Sequence, residues 1–401
     1  MFLPGPRSIA KSGEQAVLLA GQTPLAFDSR VQPHVPQLLN NRVFVVGARG
    51  IPDVEGGAEK NAERLFPRLA ERGWDISLTV ISRYCKGSNY RGVKLVSTPY
   101  SRLLRTDKIA YYLVALTLAL RQRPAIVHLQ GLGAAVFLWA YRLMGVRVVV
   151  RYGSADYILS KWGFIGRLGF RFAEYQLRFA HAVIAVSPAL AQRLAAHGIH
   201  KNVHVIPNAL DEPTDFAEPA SDVVVPHPYF LSVGRITEQK NVHRLVEAFS
   251  IFAKKNTDMH LVVAGGIDDP AYFEQVKPFL NDRVHFLGRV PRSSLGGIYA
   301  NAYAYINASV HEGHSNATME AISWKLPTLV SDIPENRDLH LPDHHLFDPV
   351  EVADIVEALE RVANDRNAYR CGDGMFLSWD DVAERTNAVY QSLWRTPVGS
   401  A

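Results

Sequence analysis

From residue 42 onwards, the hydrophobic positions of the chain follow two alternating patterns. Short runs of apolar and β-branched residues predict strands that are buried on both faces, as in a parallel sheet. Longer segments in which apolar residues recur every three or four positions predict helices that bury one face. In the first half of the chain these patterns predict a helix through 58–72 and strands at 43–46, 76–81, 125–129, 146–150 and 182–186. Such alternation is typical of an α/β fold.

The same alternation starts again at residue 229. Strands are predicted at 229–233, 261–264, 284–286, 304–306 and 328–330, and a helix follows the first of them. The preceding segment, 211–228, is rich in Pro, Asp and Glu and is typical of a linker. We therefore predict two Rossmann-like βαβ domains, at 42–210 and 229–378, that face a central cleft. Ligands of such sheets bind beyond the carboxyl ends of the strands, which makes the cleft the expected substrate site.

Composition favours a cytoplasmic protein with well-formed cores. Hydrophobic residues make up 48% of the 401 positions, but no stretch reaches the roughly 18 to 20 apolar residues of a membrane span. The first thirty residues lack the pattern of a secretory signal, and residues 1–41 show no regular period, so we expect a weakly ordered N-terminal extension there. Cys85 and Cys371 lie far apart and lack metal-ligand spacing, which predicts two reduced thiols.

Charge is distributed unevenly along the chain. Residues 1–210 carry a net charge of +16, whereas the remainder carries −12. A basic N-terminal half suits an anionic partner such as a phospholipid surface, a pyrophosphate-linked acceptor or a nucleic acid. No zinc finger, basic zipper or RNA-recognition signature is present, so a nucleic-acid partner is disfavoured.

Two glutamates stand eight residues apart across a predicted strand-to-helix turn, Glu312 in the loop and Glu320 in the helix. Ser315 or Asn316 can cap this helix, which we expect to run to about residue 325. The helix N-terminus offers amides to a diphosphate, and carboxylates accept hydrogen bonds from sugar or ribose hydroxyls. Two solvated acids beside a capped helix are the alternative interpretation.

A basic pair, Arg235 and Lys240, follows the first predicted strand of the second domain. Arginine presents a planar fork and lysine a point charge, so the two together can bind a pair of phosphates. A pair of ordinary surface cations is the alternative.

In the first domain, Gly56 and Gly57 precede a helix, where the lack of side chains lets backbone amides approach phosphate oxygens. A long structural turn is the alternative there. The glycine spacing differs from the dinucleotide-binding fingerprint, which disfavours a nicotinamide enzyme.

These segments, in this order, resemble glycosyltransferase family 4, whose members are retaining enzymes of the GT-B fold. The resemblance covers most of residues 42–395. It implies catalytic roles for Glu312, Arg235 and Lys240. It also implies donor binding by Gly56, Gly57, Asn208, Gly288, Arg289, Ser315, Asn316 and Glu320. Residues 379–401 should form a C-terminal helix that crosses back to the first domain.

One position departs from the family pattern. Many relatives have a His-Gly pair after a strand of the first domain, near the transferred sugar, but this chain reads Arg151-Tyr152-Gly153 there. We expect Asp156, Tyr152 or another group to contact the sugar or acceptor instead.

The reaction implied by the resemblance is transfer from a nucleotide sugar with retention, in which the leaving diphosphate helps to deprotonate the acceptor hydroxyl. No cofactor and no metal is expected, because cationic residues neutralise the diphosphate. The 47–52 and 161–163 segments resemble those of bacterial polysaccharide rhamnosyltransferases. This favours rhamnose as the sugar and leaves mannose and glucose open.

On the acceptor side, residues 161–172 mix aromatic and cationic residues, as in a helix that lies on anionic lipid, and a buried core helix is the alternative. Residues 109–120 are apolar but too short to span a membrane, and they favour a core helix. We therefore expect a polyprenyl-diphosphate-linked sugar acceptor and peripheral contact with the inner face of the plasma membrane. The alternatives are another GT-B enzyme, such as a sugar-nucleotide epimerase or a glucan synthase, and, least favoured, a nucleic-acid-binding protein.

Overall fold

The computed structural model of the chain describes residues 41–100, 108–155, 163–210, 224–372 and 376–395. The predicted N-terminal extension, Asp156 and most of the predicted linker lie outside these residues.

The first sheet is built by strands between residues 42 and 205. Its strands are β1 (Arg42–Val46), β2 (Asp75–Ile81), β3 (Asn89–Tyr90), β4 (Val93–Thr98), β5 (Ile126–Gln130), β6 (Arg147–Tyr152), β7 (Ala182–Ala185) and β8 (Val203–Val205). They lie in the order β3-β4-β2-β1-β5-β6-β7-β8, and every neighbouring pair is parallel except β3 and β4. The helices of this domain are α1 (Gly57–Glu71), α2 (Lys108–Gln122), α3 (Leu138–Leu143), α4 (Phe164–Gln176) and α5 (Pro188–Ala196).

The second sheet is parallel throughout. It contains β9 (Tyr229–Val233), β10 (His260–Ala264), β11 (Val284–Gly288), β12 (Ala304–Asn307), β13 (Thr328–Ser331) and β14 (Leu346–Phe347). The strand order is β11-β10-β9-β12-β13-β14, so the order reverses beside β9. The helices are α6 (Val242–Phe252), α7 (Pro270–Val276), α8 (Arg292–Asn301), α9 (Asn316–Ser323), α10 (Pro334–Arg337) and α11 (Val352–Asn364), followed by α12 (Trp379–Arg395).

The alternation of side chains along β1 explains why helices cover both faces of the first sheet. Val43 and Val45 pack into one cluster with α1 and α12. Phe44 and Val46 point the opposite way and pack with residues of α2, α3 and α4. Both faces of the sheet are therefore buried, which explains the continuous apolar run of a parallel strand. The predicted α/β architecture with two parallel sheets is therefore confirmed.

The last helix, α12, packs on the N-terminal domain. The Trp74 indole donates to Asn387 Oδ1 at 2.9 Å, and Arg68 lies 3.4 Å from the Asp380 carboxylate. Tyr390 is fully buried and its hydroxyl lies 2.5 Å from His128 Nδ1. The chain thus returns to its first domain after completing the second.

Candidate functional site

Helix α9 begins at the cleft with a side-chain cap. Ser315 Oγ accepts a hydrogen bond from the Thr318 amide, which satisfies one of the free amides of the first turn. The helix ends at Ser323, one to two residues before the expected end. Glu320 therefore lies in its second turn and Glu312 in the loop before it. Asn316 is the first helical residue, and its Oδ1 is buried without a hydrogen-bond partner among the described residues.

Lys240, which is partly buried, and Glu312, which is buried, form an ion pair in the loops that follow the carboxyl ends of β9 and β12. The Lys240 ammonium lies 2.6 Å from Glu312 Oε1, which also accepts from the Ser309 hydroxyl at 2.7 Å and the Asn307 amide at 3.4 Å. Burial alone would raise the pKa of the Glu312 carboxyl, but Lys240 and these hydrogen bonds hold that pKa below its usual value. Glu312 is therefore a carboxylate with defined orientation at neutral pH. A small cavity beside it is lined by Gly234, Lys240 and Asn307, among others.

Arg235 pairs with a different carboxylate from the one that Lys240 contacts. Its guanidinium is half-exposed and lies 3.3 Å from Asp268 Oδ2. Arg289, which directly follows β11, shares the same carboxylate at 2.9 Å and also lies 3.6 Å from Glu55 of the glycine loop. The adjacent Gly288 has a φ of +64° that turns the chain at the end of β11. Arg235 and Arg289 thus line the rim, whereas Lys240 lies deeper.

The glycine loop is placed directly against α9. Gly56 has a φ of +140° and precedes α1, which starts at Gly57 without a side-chain cap. A Cβ atom at Gly57 would lie 3.3 Å from the side-chain Nδ2 of Asn316, so the start of α1 approaches α9 closely. One turn into α1, the Lys60 ammonium lies 2.6 Å from Glu320 Oε1, and the Tyr299 hydroxyl donates to Glu320 Oε2 at 2.9 Å. Both members of this ion pair are buried. Lys60 was not among the residues predicted for the site.

The loop that carries Glu312 also touches the end of β6. A Cβ atom on Gly313 would lie 1.7 Å from the Gly153 carbonyl oxygen, so only glycine fits there. Asn208 donates to the carbonyl oxygen of His314 at 2.8 Å and accepts from Arg151 Nη2 at 2.6 Å. Asn208 therefore connects the first domain with this loop.

The expectation for Tyr152 needs correction. Its side chain is fully buried, and its hydroxyl donates to Glu174 Oε1 of α4 at 2.6 Å. Successive residues of a strand face opposite sides of the sheet, so Tyr152 points into the helix-covered core and Arg151 points the other way. Tyr152 is therefore not placed to contact a sugar. Asp156, the other candidate, lies outside the described residues.

No group of three or more His, Cys, Asp or Glu side chains in the described ranges is arranged to hold a metal ion.

Profiles of known families match both domains. The profile described as Glycosyltransferase Family 4 matches residues 55–212, and the profile described as Glycosyl transferases group 1 matches residues 214–371. Together they cover the glycine loop, the basic pair and both glutamates. The chain belongs to glycosyltransferase family 4.

Curated relatives of this glycosyltransferase come from eukaryotes and bacteria. It is 24% identical over 370 residues to the phosphatidylinositol N-acetylglucosaminyltransferase gpi3 subunit of Schizosaccharomyces pombe, which covers 84% of this chain and 78% of that protein. It is 27% identical over 231 residues to the serotype-specific mannosyltransferase WbdA of Escherichia coli, which covers 51% of this chain but 28% of WbdA.

Solved structures with the same fold include sucrose-phosphate synthase from Thermosynechococcus elongatus. It has a TM-score of 0.74 at 18% identity and covers 88% of this glycosyltransferase and 99% of its own chain. HepE from Anabaena, in complex with UDP and glucose, has a TM-score of 0.67 at 14% identity and covers 88% and 100%. The GT-B fold expected from the sequence is confirmed.

The glycosyltransferase also exposes an apolar face on α4. Phe164 and Ile165 are 82% and 85% exposed, and Leu168, Phe172 and Tyr175 are about half-exposed along the same side. Arg167 and Arg171 are exposed between them. In contrast, α2 buries Tyr111, Tyr112, Ala115 and Ala119, as a core helix does. No helix in the described part of the chain has the length and apolar character needed to cross a membrane.

Proposed function

We propose that this glycosyltransferase transfers a hexose or deoxyhexose from a nucleotide sugar to a polyprenyl-diphosphate-linked oligosaccharide, with retention, in the synthesis of a cell-surface polysaccharide. The observation that carries the donor half is the Lys240–Glu312 pair, with an ion-pair distance of 2.6 Å at the carboxyl ends of β9 and β12. It combines a cation for a diphosphate with an oriented carboxylate for a sugar hydroxyl, at the edge of the sheet where such folds bind ligands.

Charge stabilisation supports the chemistry proposed for the cleft. As the bond to the diphosphate breaks, negative charge grows on the leaving oxygen, and preorganised cations and amides at that point lower the barrier. Lys240 and Arg235, the Gly56–Gly57 loop and the first turn of α9 are the groups we assign to this role. The leaving diphosphate then takes the proton of the acceptor hydroxyl, and the reaction needs neither a protein base nor a metal.

The donor assignment is tested by a panel of nucleotides and nucleotide sugars. Binding to the native state raises the melting temperature with the logarithm of ligand concentration over the dissociation constant. Rhamnose is the sugar favoured by the sequence resemblance, and mannose and N-acetylglucosamine are named for relatives. A labelled-donor assay then follows the sugar into product. Transfer of label to a prenyl-linked acceptor supports the proposal, whereas epimerised donor or a free glucan supports the alternative GT-B reactions and contradicts it.

The exposed face of α4 supports a membrane-linked acceptor. Burying one large apolar side chain contributes about 1.5 to 3 kcal/mol, and each cation near an anionic leaflet adds about 1 kcal/mol. Phe164 and Ile165 are apolar groups that water solvates poorly, and Arg167 and Arg171 flank them. A helix of this kind lies in the interface with its apolar face in the acyl boundary.

Vesicle flotation tests the membrane contact. The full chain should float with vesicles that contain anionic phospholipid at low salt, and Phe164→Ser with Ile165→Ser should reduce the bound fraction more than tenfold. Both positions are exposed, so the fold should tolerate them. Val350→Ser, which changes an exposed apolar residue of the second domain, is the matched control and should bind normally. Failure of the unmodified protein to float would reject the membrane contact.

A further inference from the structure

Arg151 is a buried cation that has no counter-ion among the residues that the structure describes. It is the penultimate residue of β6 and is 4% exposed. Its Nη2 donates to the neutral Asn208 amide oxygen at 2.6 Å, and its Nη1 is shielded from solvent with no hydrogen-bond partner among the described residues. No carboxylate of the described residues pairs with it, and burial lowers the pKa of its guanidinium to about 10. The group still remains charged at neutral pH.

The described groups that neighbour Arg151 most closely, Asn208, Gln130 and His314, are polar and uncharged. Gln130 of β5 stands beside it in the sheet register and donates to Asn61 of α1 at 2.9 Å. The pKa of His314 is lowered to about 4 by burial and by Arg151, so this imidazole is neutral, and its Nδ1 is also buried without a partner among the described residues. An unpaired charge taken out of water is strongly unfavourable, so a fold that needed only stability would favour an apolar residue here.

The chemistry of arginine indicates which kind of ligand suits this position. Its planar fork binds two oxygens of a phosphate at once, and such charge-assisted pairs are among the strongest hydrogen bonds in proteins. In this structure Nη2 donates to Asn208, which fixes the plane of the guanidinium. Nη1 has no hydrogen-bond partner among the described residues.

The loop that carries Glu312 packs over the end of β6, where Arg151 lies. Gly313 packs against the Gly153 carbonyl oxygen at the end of β6, and the His314 carbonyl oxygen accepts from Asn208. This loop therefore covers the end of the strand, and the binding of a ligand to Arg151 from the cleft would require the loop and β6 to separate.

We propose that Arg151 binds a phosphate oxyanion of one of the two substrates. The inference rests on the proposed function, because both proposed substrates carry a diphosphate: the nucleotide sugar and the prenyl-linked acceptor. Arg151 thereby adds a residue of the first domain to the proposed diphosphate site. The other residues proposed for that site belong to the second domain or to the Gly56–Gly57 loop.

The test compares Arg151→Gln with the unmodified chain in binding experiments that need no turnover. Calorimetry measures the dissociation constants of the nucleoside diphosphates UDP, GDP and dTDP in one arm and of farnesyl diphosphate, as an acceptor analogue, in the other. We expect Arg151→Gln to weaken binding in one arm at least tenfold, and the arm affected identifies the substrate. Arg147→Gln, at the opposite end of the same strand, is the control and should bind normally.

A stability measurement separates this role from a structural one. Because Arg151→Gln removes an uncompensated buried charge, the ligand-free variant should melt no lower than the unmodified chain. Unchanged affinity within twofold in both arms would overturn the proposal, as would a large loss of stability with normal binding.

If Arg151→Gln does not fold, Arg151→Lys keeps the charge but not the fork. Arg151→Lys should then weaken the binding of the nucleoside diphosphates or of farnesyl diphosphate severalfold. Unchanged binding of both kinds of ligand overturns the proposal. Absence of sugar transfer by the unmodified chain would instead reject the proposed function and leave these binding results unaffected.

Discussion

The ion pair between Lys60 and Glu320 predicts strong energetic coupling between residues 260 positions apart in sequence. At 2.6 Å, Coulomb's law with an effective dielectric constant of about 20 gives roughly 6 kcal/mol of attraction. Dehydration of both groups offsets part of this attraction. Removal of one partner leaves the other charge buried, which typically costs about 3 to 5 kcal/mol. Either single variant, Lys60→Met or Glu320→Gln, should therefore destabilise the protein by about that amount.

A double-mutant cycle isolates the pair. The free energies of unfolding in urea are measured for both single variants and the double variant, and we expect a coupling of about 2 to 3 kcal/mol. The control cycle uses Lys94 and Asp75, which lie 2.8 Å apart but are more exposed, so their coupling should be about 0.2 to 1 kcal/mol. Equal coupling in the two cycles, or less than about 0.5 kcal/mol for Lys60 and Glu320, would refute the closed arrangement of α1 against α9.

Three further predictions concern catalysis, pH and metal. Arg235→Ala or Lys240→Ala should lower kcat by roughly a hundredfold or more, since a lost transition-state donor costs about 3 to 4 kcal/mol; near-normal turnover in a correctly folded variant would contradict the assignment. Burial and the nearby Arg151 hold the pKa of His314 at about 4, so between about pH 6.5 and 4 the unfolded chain binds more protons than the folded one. His314 should then contribute about 3 kcal/mol to the fall in the free energy of unfolding on acidification through that window, and the fall should be smaller by about that amount in His314→Gln. Sugar transfer should survive EDTA, and full recovery only on adding a divalent cation would reject the metal-free mechanism.

The sheets could be predicted from sequence because buried parallel strands are continuous apolar runs. The predicted strand at 229–233 matches β9 residue for residue, and the others differ at their ends by one or two residues. β4 was not predicted. It is near the sheet edge, where Lys94 and Ser97 interrupt the apolar pattern.

The charged partner of Glu320 could not be predicted, because it comes from the other domain. Nothing local marks Lys60 as the partner of Glu320, since the two meet only when α1 and α9 pack. Arg151 had a local signal, a charge that ends a run of three valines at a buried position of β6. Tyr152 was misassigned because the sequence pattern alone did not fix which face of β6 lines the cleft.

The return of α12 has a consequence for how the two domains move. A chain that passes once between domains leaves them free to swivel about a single linker. In this protein the chain leaves the first domain after Leu210 and returns to it before Trp379. Helix α12 then supplies Val382, Ala383 and Tyr390 to the core of the first domain. Two connections define an axis, so opening of the cleft should be a hinge rotation about that axis. The first domain as a folding unit is accordingly discontinuous in sequence, and residues 42–210 expressed alone would expose the apolar surface that α12 covers.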